Sequence, residues 1–366
     1  ETADGWLVLD STASSRHIIW PSSGGEGSAF RVNTENLEIE AAFWTGPYHG
    51  GGAWGFTNGD SPSRSAVDDA GNLIIANRAV GTQGSITKIA GDPATCPDRN
   101  GNGVIDTSAG WDDKLAFDGH DDWDDECILW HTQVGGVNAT PRAVAIHPEM
   151  GLDGVFVERG WVGMFSESRF VQFDTETGEL TGVEAPTPGL NPYGGAVDRD
   201  GWICCTYTPG SVGRFDTANP DGSFELIPLT GDAYRVIVDE NDAPWFSGPS
   251  DIYRYNRDDE AFQAVGIAGV GGFGSCGNIA SDGQGSIWGG TYASAALVYR
   301  IDNDDAMAYR TIDTPGTTTF GIGVDFDEQV WAFGINDQGT GVGNATVIDI
   351  ATENTQLALD DCGGIG

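Results

Sequence analysis

A short pattern returns four times in the second half of the chain: GGAVDRDGWICCTY (194–207), RVIVDENDAPWFSG (235–248), NIASDGQGSIWGG (278–290) and GIGVDFDEQVWAFG (321–334). Its anchoring aspartates, Asp198, Asp239, Asp282 and Asp325, stand 41, 43 and 43 residues apart, and Trp245, Trp288 and Trp331 each follow an anchor by six residues. A fixed period of this size constrains the fold strongly, because each copy must be one supersecondary unit that buries its apolar face only against the next copy. Looser copies stand upstream: WLVLDSTASSRHIIW around Asp10, RSAVDDAGNLIIANR around Asp68 and RAVAIHPEMGLDGVFVERG around His147. The count comes to seven units.

A second motif follows within the unit, as AFRVNTENLEIEAAFWTG (29–46), FVQFDTETGELTGVEAP (170–186), VGRFDTANPDGSFELIPLTG (212–231), IYRYNRDDEAFQAVGIAG (252–269) and VYRIDNDDAMAYRTIDTPG (298–316). Apolar and polar residues alternate, and Asp, Asn and Gly clusters interrupt the runs, which predicts short antiparallel strands joined by tight turns. Each unit then holds four strands, and four-stranded units at this period predict an all-β, seven-bladed β-propeller forming one domain over residues 1–366. Six or eight blades are the alternative counts, since the first unit is degenerate. A solenoid is the rival architecture, and no segment with helical period supports it. The recurring Trp is expected to pack between blades. The recurring third-strand Arg (Arg31, Arg214, Arg254, Arg300) is expected to pair with Asp on adjacent turns.

Asp and Glu outnumber Lys and Arg by 55 to 17 in the 366 residues, a formal charge of −38. That field repels nucleic acid and anionic membrane surfaces, so no nucleic-acid partner is expected. No run approaches the roughly 18 apolar residues of a membrane span, so no membrane insertion is expected. No basic-then-apolar leader opens the sequence, so any export signal has been removed or was never there. Six cysteines (96, 127, 204, 205, 276 and 362) show no CxxC spacing. Cys96 and Cys127 bracket one insertion and are expected to form a disulfide. A disulfide implies a secreted, periplasmic or cell-surface protein, here read as bacterial, and the acidic composition suits marine surroundings. Cys204 and Cys276 read equally as small buried hydrophobes within strands.

The insertion covers residues 92–126, between GSITKIAG (84–91) and CILWHTQV (127–134) of the second blade, and carries CPDRNGNGVIDTS (96–108). In a calcium loop, side chains at positions 1, 3 and 5 and the carbonyl at 7 supply oxygens, while Gly at 6 permits the turn. Asp98, Asn100, Asn102, Gly103 and Val104 match these places, with Asp106 at position 9 and Ala109 where a bidentate Glu belongs. The missing carboxylate could come from Asp112, Asp113 or the acidic run FDGHDDWDDE (117–126). A long loop without apolar periodicity needs a metal or a disulfide to order it. The expected cofactor is structural Ca2+; a solvated acidic turn is the plainer alternative, and His120 with His131 would suit a transition metal.

Ligands of propellers usually sit at the face carrying the loops between blades. The loops on that side supply Tyr48, His49, Trp54, Arg64, Arg78, Arg142, Trp161, Tyr193, Tyr207, Arg235 and Tyr292, with Asn77, Tyr234 and Phe320 beside them. Arg64, Arg142 and Arg235 fall just ahead of inner strands, so scarce positive charge gathers near one axis and suggests an anionic ligand. Arg64 and Arg235 could instead pair with inner-strand carboxylates. GVGGFG (269–274) matches a dinucleotide fingerprint but opens no helix, so it carries no nucleotide meaning.

The AVD-x-DG-x-W…RFDT repeat resembles the seven-bladed propellers of the streptogramin B lyase (virginiamycin B lyase) type, and more loosely NHL-repeat propellers. The likeness spans nearly the whole chain and implies the fold. Those lyases carry a catalytic histidine pair and a magnesium-binding glutamate in late blades. Here the histidines are 17, 49, 120, 131 and 147, none in the last four blades, so that chemistry transfers to no residue. The insertion also resembles that of secreted propeller proteins of myxobacteria. Two functions are therefore expected. One is an extracellular recognition module for a saccharide, a peptide or protein, or an anionic small molecule. The other is a lyase or hydrolase using His49, Tyr48 or Tyr193 as acid or base, with Arg64 or Arg235 neutralising substrate charge.

Overall fold

The computed structural model describes residues 16–48, 60–150, 154, 156–248, 251–267, 276–291, 297–303, 308–315, 319–334 and 343–359. Among the described residues seven four-stranded antiparallel sheets follow one another along the chain, and a small two-stranded sheet, Phe117–Gly119 with Asp122–Trp123, lies within the insertion of the second. Blade I comprises Ile18–Ile19 and Ser22–Ser23, both paired to Ser28–Asn33, then Glu38–Trp44; its Asp10 anchor lies outside the described residues. Pro21, which has no N–H to give a ladder, interrupts its first strand. Blade II is Pro62–Val67, Leu73–Asn77, Gln83–Ile89 and Ile128–Val137; blade III is Pro141–Met150, Phe156–Met164, Arg169–Asp174 and Leu180–Pro186. Blade IV is Gly194–Val197, Trp202–Thr208, Ser211–Asp216 and Glu225–Pro228. Blade V is Arg235–Val238, Pro244–Ser247, Asp251–Asn256 and Ala261–Gly266, and blade VI is Cys276–Ser281, Ser286–Thr291, Leu297–Asp302 and Tyr309–Asp313. Blade VII is Thr319–Val324, Gln329–Gly334, Ala345–Asp349 and Thr355–Leu359. Inner strands of successive blades neighbour one another, so the molecule is a seven-bladed all-β propeller.

The repeated aspartate has two local tasks. In blade V, Asp239 Oδ1 accepts the backbone N–H of Asn241 and Ala243, each at 2.9 Å, and so closes the turn from inner to second strand. Its Oδ2 accepts the indole N–H of Trp245 at 2.8 Å. Asp282 holds Trp288 at 2.9 Å and Asp325 holds Trp331 at 2.7 Å in the same way. The six-residue spacing is thus a hydrogen bond. Blades without a Trp at that place fill the oxygen with a cation: Asp68 takes Lys88 at 2.7 Å, and Asp198 takes Arg257.

Each fully buried indole then packs into the following blade. Trp161 lies with Ile203, Cys205 and Phe215 of blade IV, Trp245 with Ile287, Tyr299 and Ile301 of blade VI, and Trp288 with Val330, Ala332 and Ile348 of blade VII. Trp331 of the last blade packs with Phe30, Val32 and Ala42 of the first and closes the ring. Burying one such ring contributes on the order of 3 kcal/mol or more. The third-strand arginines stack across the same rows: Arg254 over Trp245 at 5.7 Å and Arg300 over Trp288 at 4.9 Å. Their carboxylate partners are glutamates rather than the expected turn aspartates: Glu40 for Arg31, Glu225 for Arg214, and Glu353 of blade VII for Arg300.

Candidate functional site

Three arginines converge at one end of the channel. Arg64, Arg142 and Arg235 lie at the starts of the inner strands of blades II, III and V, while Tyr193 and Tyr234 immediately precede the inner strands of blades IV and V. Backbone bonds fix the tyrosines: the Tyr234 N–H donates to the Ser247 carbonyl at 2.7 Å, and its own carbonyl accepts the Thr206 hydroxyl at 3.0 Å. The neighbouring Gly194 N–H donates to the Thr206 hydroxyl at 3.1 Å.

The two tyrosine rings lie 4.3 Å apart and their hydroxyls are hydrogen-bonded. The guanidinium of Arg142 sits 4.1 Å from the centre of the Tyr193 ring, and that of Arg64 sits 4.8 Å from it. Arg64 also faces Tyr234 at 5.6 Å, and Arg235 faces Tyr234 at 5.0 Å and Phe320 at 4.3 Å. Phe165 backs Arg142 at 5.0 Å. Arg78 reaches the Ser61 hydroxyl at 2.5 Å, beside this group.

Arg142 and Arg235 are 7% and 4% exposed, yet no salt bridge reaches them or Arg64 among the described residues. Nε and Nη2 of Arg64, Nε and Nη1 of Arg142, and Nε and Nη2 of Arg235 are buried without a hydrogen-bond partner. Burying an unpaired cation costs several kcal/mol, and each cation–π contact returns only about 0.5–2 kcal/mol. Burial and the charge of Arg64 pull Arg235 down to about 9, and burial with Arg142 pulls Arg78 down to about 10. Burial alone would push the Tyr193 phenol up. Arg64, Arg142, the Tyr234 hydrogen bond and Arg235 outweigh it and bring Tyr193 down to about 8. Tyr234 moves the other way, raised by burial and by Tyr193.

Arg64, Arg78, Arg142, Arg235 and Tyr193 are therefore brought together as one group. Trp161 is not among them: it is fully buried at the blade III–IV joint. Glu158 and Arg159, from the same hairpin, bind the Asp69 N–H and the Asp174 carboxylate. His49, Trp54 and Tyr292 lie outside the described residues, as does the Tyr207 side chain. Sequence reasoning passed over Phe165, which carries no periodic mark.

Tyr48 belongs to a second group near the insertion. Its backbone N–H donates to buried Asp60 at 2.9 Å, and its ring stands edge-on to His120 at 5.4 Å. Burial pushes the Asp60 carboxyl up to about 6, against the Tyr48 hydrogen bond. His120 Nδ1 lies 2.8 Å from His131 Nε2, and His131 Nδ1 lies 2.8 Å from the Thr87 hydroxyl, which donates to the Thr45 carbonyl. The Thr87 hydroxyl has spent its proton, so it accepts from His131, and His131 accepts from His120. Burial pushes His131 down to about 3, so the chain of bonds is built from neutral rings.

The loop of 98–106 is tightly wound. Asp98 accepts the N–H groups of Gly101, Asn102 and Gly103 at 2.7, 3.1 and 2.9 Å, and Gly103 takes a φ of +85° that favours glycine. Asn100 and Asn102 donate to Asp106 at 2.7 and 2.8 Å. Glu126, from the acidic run, accepts from the N–H groups of Arg99, Asn100 and Asp106. Asp112 and Asp113 are exposed. The Cys96–Cys127 disulfide closes the insertion. Among the described residues no group of three His, Cys, Asp or Glu side chains is arranged to hold a metal ion. The loop offers carboxylates at Asp98 and Asp106 with amide oxygens between them, and the Asn side-chain N–H groups turn toward Asp106.

A propeller with a cationic, tyrosine-lined channel mouth is the class these observations define. No family model matches the chain, and no curated protein matches it. Among solved structures, it resembles a virginiamycin B lyase from Staphylococcus aureus with 14% identity and a TM-score of 0.54, over 81% of this chain and 83% of that one. It resembles a streptogramin B lyase at 15% identity and TM-score 0.53, over 87% and 90%. A catalytically inactive variant of virginiamycin B lyase from Staphylococcus aureus, determined with quinupristin, resembles it at 15% identity and TM-score 0.54, over 81% and 83%. The fold is thus a streptogramin B lyase-like propeller.

Proposed function

We propose that this protein is an extracellular recognition module that holds its ligand, a small molecule, a saccharide or a protein segment, at the arginine- and tyrosine-lined mouth of the channel. One observation carries the reading: side chains from blades II to V and VII converge there with buried polar atoms unspent. Such convergence of a few polar groups on aromatic walls is what ligand sites provide. The Cys96–Cys127 disulfide agrees with an oxidising compartment, and no described helix is long and apolar enough to cross a membrane. The test is a glycan and metabolite binding screen on wild type and Tyr193→Phe. Binding that weakens in the variant supports the mouth; binding indifferent to Tyr193, Arg142 and Arg235 variants refutes it.

A second reading, a lyase or hydrolase at the same mouth, draws on the Tyr193–Tyr234 hydroxyl pair. One phenol is held down by guanidiniums and its partner is held up, the division of labour a base and an acid need. Turnover of any bound ligand, lost in Tyr193→Phe while binding persists, separates this reading from recognition alone.

We further propose structural Ca2+ at Asp98, Asn100, Asn102, the Val104 carbonyl and Asp106, with Glu126 rather than Asp112 or Asp113 bracing the loop. Its support is the spacing of oxygen-bearing side chains along the loop, with Asn100 and Asn102 within hydrogen-bond reach of Asp106.

A further inference from the structure

Of the twelve other arginines in the described residues, eight meet a carboxylate. Arg16 meets Asp92, Arg31 meets Glu40, Arg159 meets Asp174, Arg169 meets Glu167, Arg214 meets Glu225, and Arg257 meets Asp198. With 55 acidic residues against 17 basic ones, a carboxylate partner is easy to supply. Arg64 stacks on both Tyr193 and Tyr234, Arg142 on Tyr193 and Arg235 on Tyr234, and none of the three has a carboxylate partner among the described residues.

We propose that the channel mouth binds a small, multiply charged oxyanion, its oxygens seated on Arg64, Arg142 and Arg235 with the Tyr193–Tyr234 hydroxyl pair at its edge. The proposal rests on the reading of the mouth as the ligand site and adds the chemistry of the ligand. Guanidinium forks fit planar or tetrahedral oxyanions through paired N–H donors, and here six nitrogens are available to them. Three cations held against two shared rings repel one another, so a monoanion leaves charge unmatched and a di- or trianion does not. Phe165 and Phe320 wall off the guanidinium faces of Arg142 and Arg235. The same chemistry is presented by a phosphate group and by a di- or tricarboxylate.

Calorimetry on the full chain at fixed ionic strength and neutral pH, with inorganic phosphate, citrate and chloride as probes, tests this. Saturable one-to-one binding of phosphate or citrate over chloride is expected, and the tighter of the two tells which source fits. In Arg142→Gln or Arg235→Gln the dissociation constant should rise about ten- to hundredfold. Arg142→Lys keeps the charge but loses the fork, and should fall between. The Gln variants should melt no lower than wild type in anion-free buffer, since they remove a buried unpaired charge; a purely structural arginine would give the opposite. Absence of phosphate and citrate binding, or binding equal in wild type and variants, overturns the proposal. If neutral oligosaccharides then bind and lose affinity in Tyr193→Phe, the recognition reading survives without it. If mouth variants alter the binding of no probe, both fall.

Discussion

The hydroxyls of Tyr193 and Tyr234, each the residue just before an inner strand of adjacent blades, are hydrogen-bonded to one another inside a ring of guanidiniums. Arg64, Arg142, Arg235 and the neighbouring phenol all face Tyr193. An absorbance titration should therefore show one tyrosine ionising near pH 8, missing in Tyr193→Phe. The folded-state value lies below that of a free phenol, so this group stabilises the fold fully above pH 10 and loses that contribution as pH falls through about 8. Wild type should accordingly gain stability relative to Tyr193→Phe between about pH 7 and 10, measured by denaturant melts. Tyr234, raised, opposes part of that gain. An anion on the arginines would cancel their field, return Tyr193 toward its ordinary value and bind with proton uptake near pH 8.

The Asp–Trp bond of each blade predicts a local cost. Asp239→Ala removes the acceptor of two turn N–H groups and of a fully buried indole N–H, and should lower stability by about 2–4 kcal/mol. Asp239→Asn keeps an acceptor for the turn but turns its amide toward the indole or toward Asn303, and should cost less. Chemical denaturation of both variants gives the order; equal stability of Asp239→Ala and wild type would contradict it.

The disulfide closes a separation of 31 residues, which in the loop-entropy account is worth about 3–4 kcal/mol to the segment it ties down. Trypsin has two sites inside, Arg99 and Lys114. Arg99 is held by the carbonyls of Asp125, Glu126 and Ile128, and Lys114 lies against Trp44 and Trp111. Cys96→Ser should open both to cleavage while the seven sheets stay protected, as read by mass spectrometry of a timed digest.

Calcium is tested by melts with and without EDTA, on wild type and Asp98→Ala. A calcium-dependent rise in melting temperature lost in the variant is the expected result. Identical melts would identify the loop as a turn closed by Asp98 and Glu126 alone.

The fold was legible because its period is written in side chains that bond one another: Asp and Trp six apart in three blades. The Cys96–Cys127 pairing was legible because both residues flank one insertion. Blade III hid its tryptophan. Its hairpin runs past His147 to Met150 paired with Phe156, so Trp161 falls fourteen residues after the anchor position and reads as a loop residue. In the ladder it faces Ala145, the place Trp245 holds opposite Ile237, and it is buried like its counterparts. The arginines of the mouth were legible as a place along the strand. Their convergence on Tyr193 and Tyr234, and the separation of Tyr48 toward His120, depend on how blades close into a ring, which spacing along one blade does not encode.

The cationic mouth lies within a chain of charge −38. For an anion arriving from afar the protein is a repeller, and only within the last few ångströms does it become a trap. At about 0.15 M salt the repulsion reaches only about 8 Å, and in brine about 3 Å, while the buried guanidiniums are screened much less. Entry should therefore quicken as salt rises, the reverse of the usual steering of opposite charges. Brine would then act as a gatekeeper, admitting the ligand where fresh water holds it off.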